Sequence, residues 1–190
     1  MAGRNCNVRE QLIEAGIREI SKYGLQDFSI RRIATECGVS CAAPYKHFKD
    51  KEEFIAAIIN YVDVLWRARQ SAVLETCAGD VQDRIVAVSV EYVRFLVENP
   101  QFRSVIMTNY PQLDAVHTRL RGHMSETSLA LVDAYCRNVG MAEDVRRRKQ
   151  YVVRSLIYGA ALMFDNGEME YNEENLRFVE YSIRREFELP

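Results

Sequence analysis

Apolar residues recur at three- and four-residue spacing along most of the chain, the period of a helix with one buried face, and no stretch alternates convincingly as a half-buried strand would. Val8, Leu12, Ala15, Gly16, Ile20 and Tyr23 mark a first helix from about Asn7 to Tyr23, closed by Gly24. Ser29 stands just before Ile30, Ile33 and Ala34, so its hydroxyl is placed to cap a second helix that ends near Cys37. Gly38 follows, where a chain leaving a helix needs positive φ, and Ser40 is placed to cap another short helix. Asp50 then caps a long helix from Lys51 to Thr76, with Phe54, Ile58, Tyr61, Leu65, Ala68 and Ala72 on one line. At about 1.5 Å per residue this makes a rod of about 40 Å. Further helices are predicted over Val81 to Glu98, Gln101 to about Thr108, Gln112 to Asn138 with an interruption near Gly122, Glu143 to Phe164, and Glu173 to Phe187. The expected fold is all-α with about nine helices.

Charge changes this picture only when it is divided along the chain. Residues 1–51 carry nine Lys or Arg against six Asp or Glu, whereas residues 52–190 carry 16 against 21, so a basic head precedes an acidic body. Such a head is attracted to phosphate. No run approaches the roughly 18 to 20 apolar residues of a membrane span, and MAGRNCNVREQ has no signal-peptide apolar segment, so a cytoplasmic location is expected. The five cysteines form no C-x-x-C pair and are expected to be reduced thiols.

The stretch from Phe28 to Lys51, FSIRRIATECGVSCAAPYKHFKDK, reads as two short helices meeting across a glycine turn, followed by the start of a third. The second helix of such a pair can lie in the DNA major groove while the first crosses the backbone. The pattern S-I-R-R-I-A-x-x-C-G-V-S-x-x-x-P-Y-K-H-F-K-D-K-E-E-F resembles the DNA-binding domain of TetR-family transcriptional regulators, over roughly residues 8 to 62. YVRFLVENPQFRSVIM and LIYGAALMF resemble one of that family's ligand-domain types more weakly. The resemblance implies an N-terminal three-helix DNA-binding domain with a helix-turn-helix, residues 1–50, and a helical ligand-binding and dimerisation domain, residues 51–190.

Residue by residue, the resemblance makes Ser29 a phosphate ligand at the start of the first motif helix, Tyr45 and His47 grips on the DNA backbone, and Lys51 a further phosphate ligand. Arg31 and Arg32 flank this surface, and Lys46 extends from the recognition helix that Ser40 opens. Cys41, Ala42 and Ala43 offer no bidentate donor for a base edge, so base choice is expected to lean on thymine methyl contacts, on Lys46 and on operator shape. Pro44 replaces the aliphatic or aromatic residue common there, and in a first turn its missing N–H costs little. Cys41, at a helix start, sits where a thiol pKa can fall.

Behind the head, Trp66, Tyr92, Phe95, Met107, Tyr110 and Tyr158 are the candidates for lining an apolar pocket, although aromatic and Met residues at helical spacing also make ordinary core. Arg94, Arg103, His117 and His123 are its candidate polar groups, or surface residues. In the family the last helix pair meets its twofold copy; Val153, Leu156, Gly159, Ala160, Leu176, Val179, Ile183 and Phe187 are the residues placed there, with an intramolecular core as the other reading. No G-x-S-x-G, H-E-x-x-H, P-loop or dinucleotide glycine set occurs, so no enzyme activity, metal or cofactor is expected. The expected protein is a homodimeric repressor, released from a double-stranded, pseudo-palindromic operator by a small hydrophobic ligand. The alternatives are a helix-turn-helix DNA binder with no small ligand, or one whose C-terminal domain docks another protein.

Overall fold

A computed structural model of the chain describes residues 7–107 and 114–188, with side chains over 7–106 and 126–188. Among the described residues there are eight α-helices, one 3-10 turn and no strand: α1 Val8–Tyr23, α2 Ile30–Glu36, the 3-10 turn Pro44–Lys46, α3 Lys51–Thr76, α4 Val81–Glu98, α5 Pro100–Met107, α6 Asp114–Asn138, α7 Glu143–Asp165 and α8 Glu173–Glu188. The expected interruption near Gly122 does not occur, since α6 continues through it. A lone glycine weakens a helix interior by about 1 kcal/mol relative to alanine without breaking it.

The chain divides into two compact units, Met1–Val64 with Gln101–Gly122, and Leu65–Pro100 with His123–Pro190. In the first, Asn7 caps α1 by accepting from the Arg9 N–H. The expected apolar stripe is turned inward at Leu12, Ala15, Gly16 and Ile20, while Val8 and Tyr23 at its ends stay exposed. α1 crosses α3 closely at Gly16, where a Cβ would stand 2.5 Å from Ile58 Cδ1. Phe28, Phe48 and Phe54 complete this core as a column of rings: Phe48 stacks on Phe54 at 4.0 Å, and Phe28 meets Phe54 edge-on at 5.4 Å.

In the second unit α4, α7 and α8 pack against one another. Asp80 and Asp83 form a reciprocal capping box at the start of α4, and Asp83 also holds Arg184 of α8 at 2.6 Å. At the same end of α8, the Tyr135 hydroxyl donates to the Phe187 carbonyl at 2.8 Å, and the fully buried Lys149 ammonium donates to the Glu186 carbonyl at 2.6 Å. The last carbonyls of a helix have no partners within it, and a cation there also meets the negative end of the helix dipole. These two donors fasten the C-terminus of α8.

Candidate nucleic-acid interface

Ser29 stands at the N-cap of α2 with extended backbone, and its hydroxyl accepts from the Arg32 N–H at 3.4 Å. Its own N–H donates to the Glu19 carboxylate at 3.0 Å. Glu19 belongs to α1 and is buried, and the same oxygen also accepts from Arg32 Nε at 2.8 Å and from Arg32 Nη2. Arg32 Nη2 further donates to the Asp27 carbonyl, and the guanidinium lies 4.3 Å from the centre of the Tyr23 ring. The bond to Glu19 raises the Arg32 pKa above its ordinary value. Arg32 is therefore a brace between α1 and α2, while Arg31, its neighbour, is exposed. Both border an open groove between the two helices, together with Arg18, Lys22 and Thr35.

The turn after α2 is made as the sequence predicts. Cys37 is the C-cap, Gly38 has φ +67°, and the Val39 N–H returns to the Ala34 carbonyl at 3.0 Å. The following segment departs from expectation. Ser40 offers its backbone carbonyl to Ala43 N–H at 2.9 Å instead of capping a helix with its side chain, and the N-cap of the 3-10 turn is Ala43. The regular structure is only Pro44–Lys46, closed by His47 N–H to Pro44 O at 2.9 Å. Pro44 has no N–H to give to Ser40, so the first α-helical bond of a recognition helix is unavailable and shorter-range bonds take its place. Cys41 consequently lies in a turn, exposed with Ala42, and not at a helix start. Ala43 is half-buried, Pro44 is buried, and Lys46 is exposed. Tyr45 is 57% exposed, so its ring projects outward and does not serve the small core.

α3 begins with a looser cap: Asp50 accepts from Glu53 N–H, and Glu53 accepts from Lys49 N–H, one residue before Asp50, each at 2.8 Å. Lys51 is aimed back along the domain, its ammonium 3.4 Å from the Gln26 carbonyl and 5.8 Å from the Phe28 ring centre. His47 sits half-buried beside Phe48. Ser29, Arg31, Tyr45, Lys46, His47 and Lys51 all therefore belong to one small domain whose core is the ring column. Two residues escaped sequence reasoning. Glu19 could have been suspected, because it is a charge between Gly16 and Tyr23 on an otherwise apolar stripe. Arg9, which lies over Phe48 at 5.3 Å, left no such signal.

In the second unit, four of the six candidate pocket residues come together: Trp66 lies 4.5 Å from Tyr92 and 5.5 Å from Phe95, and Tyr92 lies 6.4 Å from Tyr158, centre to centre. Trp66 and Phe95 are almost fully buried, so the rings fill one another's space as core. The Met107 side chain, Tyr110, and the side chains of His117 and His123 lie outside the described residues. Arg94 pairs with Glu173 at 2.9 Å.

The residues expected at the twofold contact divide by burial. Val153, Ala160, Leu176, Val179, Ile183 and Phe187 are buried within the single chain, because α4 already covers that side of α7 and α8; Leu156 and Gly159 are half-buried. The outer side carries a different apolar set: Tyr151 is 73% exposed, Leu162 55%, and Phe178 and Tyr181 63% each. A Cβ at Gly159 would meet nothing within 4 Å.

Residues 12–58 match the family profile described as bacterial regulatory proteins, tetR family. An uncharacterized HTH-type transcriptional regulator of Bacillus subtilis, YerO, is 34% identical over 71 residues, which are 37% of this chain and 25% of that protein. The nucleoid occlusion factor SlmA of Idiomarina loihiensis is 23% identical over 163 residues, 86% of this chain and 81% of its own. In fold, the chain is similar to the transcriptional regulator FadR from Bacillus subtilis, solved in complex with stearoyl-CoA. The TM-score is 0.73 and the identity 13%, with 93% of this chain and 96% of that one covered.

Proposed function

We propose that the chain, whose residues 12–58 match the tetR family of bacterial regulatory proteins, is a homodimeric repressor that leaves a pseudo-palindromic operator when a small hydrophobic ligand binds. Residues 1–50 form the DNA-binding domain in this reading, and residues 51–190 the ligand-binding and dimerisation domain. The observation that carries it is the continuity of α3. One 26-residue helix begins at Lys51, directly after the helix-turn-helix, and carries Trp66 of the aromatic cluster further along. A ligand that parts Trp66 from Tyr92 and Phe95 would push against the helix on which Trp66 rides. Ser29, Tyr45, His47 and Lys51 supply phosphate contacts, and Arg31 and Lys46 are the long donors able to reach a base edge. Two copies are required because two recognition segments must enter successive major grooves.

The fold shared with a regulator solved with stearoyl-CoA supports a long apolar ligand. Close packing of the Trp66 cluster, with the match to nucleoid occlusion factors over 86% of the chain, favours a second reading: a DNA binder whose body takes no small ligand. Thermal unfolding against fatty acyl-CoAs and a set of apolar compounds separates the two. A ligand at a hundredfold excess over its Kd adds about 2.7 kcal/mol of stability, and the same compound should release DNA taken from upstream of the protein's own gene. Stabilisation by no compound, with DNA binding intact, leaves the ligand-free reading standing.

A further inference from the structure

Arg9 lies in the first turn of α1, exposed, with its guanidinium carbon 5.3 Å from the centre of the Phe48 ring. Phe48 is itself buried and directly follows His47. It forms one end of the ring column, stacked on Phe54 with the two planes 5° apart, and Phe54 in turn meets Phe28. The far end of the column carries another cation, Lys51, 5.8 Å from the Phe28 ring centre. Three rings thus hold two cations, one from α1 and one from α3.

A ring face orients a cation without neutralising it, because its attraction comes from the quadrupole and not from a net charge. Two neighbouring arginines differ in this respect, whereas Arg31 is exposed like Arg9. Arg18 is paired with Glu36 at 2.7 Å, and Arg32 is committed to Glu19. Among the described residues no carboxylate lies within pairing distance of the Arg9 guanidinium. Its full charge and a fork of N–H donors therefore remain available, and that fork matches the oxygens of a phosphate.

We propose that Arg9 is a phosphate ligand of the protein–DNA interface, held in place by the face of Phe48 and acting beside His47. The helix-turn-helix is then gripped onto the backbone from α1 as well as from α3. This assignment rests on the DNA-binding reading of the chain.

The test uses the full chain and a fluorescein-labelled duplex of random sequence, since phosphate contacts are independent of sequence, with affinity followed across a salt series. Losing one contact flattens the slope of log affinity against log salt by about 0.9 for each chain bound, and weakens binding about 5- to 10-fold near 0.1 M salt. Arg9→Met should show this loss and Arg9→Lys should restore most of the slope, while Arg18→Met stays near the parent. A methionine still covers the Phe48 ring, so a role limited to shielding that ring predicts parental binding by Arg9→Met. That result overturns the assignment. Should Arg9→Met unfold at a lower temperature, Arg9→Lys decides alone, because a slope as flat as that of Arg9→Met removes the phosphate contact. A parent protein without salt-dependent duplex binding would instead sink the DNA-binding reading itself.

Discussion

Gly38 shows how a single residue makes the motif possible. Its φ of +67° costs an L-residue roughly 1–2 kcal/mol, and a Cβ placed there would meet nothing within 4 Å. Gly38→Ala should therefore lose about that much stability through backbone conformation alone, and Gly38→Asn should lose less, because asparagine tolerates the left-handed region. Urea unfolding of the two variants checks this, and equal losses would mean that something other than φ sets the cost. Glu19 makes the complementary point. It is one buried oxygen serving the Ser29 N–H and two N–H groups of Arg32, so the residue that orients the start of α2 lies outside α2. Gly38 is legible in the sequence because its role is local. Glu19 stands out as a charge on an apolar stripe, but its partners do not, because they are 10 and 13 residues away and only folding brings them together.

Among the elements, the recognition segment and the clamp on α3 differ most from what periodicity can say. Helix boundaries came out within a residue or two of expectation nearly everywhere, because caps, glycines and prolines act over one turn. The recognition segment failed that rule because Pro44 sits one bond too deep for its missing N–H to be harmless. α3 is clamped to α4 by Arg69, which holds Glu91 and Glu98 at 2.6 Å each, and the Tyr171 hydroxyl donates to Glu98 at 3.0 Å. Partial burial pushes the Glu98 pKa up, but the bonds from Arg69 and Tyr171, with the Arg69 charge, outweigh it and leave it below the ordinary 4.5. A carboxyl whose pKa is depressed by folding stabilises the fold above its unfolded value, and that contribution is lost as pH falls through the folded value. Glu98→Gln should thus melt below the parent at neutral pH, by no more than about 1 kcal/mol since the pair is half-exposed and screened. The gap should close below about pH 4.5. A gap independent of pH would assign the effect to packing.

At the scale of the whole molecule, one surface that stays apolar among the described residues is the exposed side of α7 and α8. Tyr151 and Leu162 on one helix, and Phe178 and Tyr181 on the other, are each more than half exposed. A second copy of the chain apposed there would bury them and give the twofold arrangement an operator requires. Replacing Leu162 and Phe178 by glutamate should yield a monomer in sedimentation with unchanged helical content, since exposed substitutions disturb folding by only about 0.5 kcal/mol. Binding to a paired half-site should weaken with it. A double variant that still sediments as a dimer would place the interface elsewhere.

What the sequence determined by itself was local: the helical period, the capping residues, the Gly38 turn and the family pattern from Ser29 to Phe54, all carried by neighbours within a turn or two. Tertiary structure alone decided which side of each helix is covered. On α7 and α8 the periodic residues Val153, Leu176 and Ile183 are buried within the chain, and the apolar set beside them stays exposed. Periodicity reports that a helix has an apolar face; it cannot report that there are two, or which one the chain itself will bury. The same holds for the cations, since Arg32 was taken by Glu19 while Arg9 was placed over Phe48, and nothing within a few residues of either foretells it.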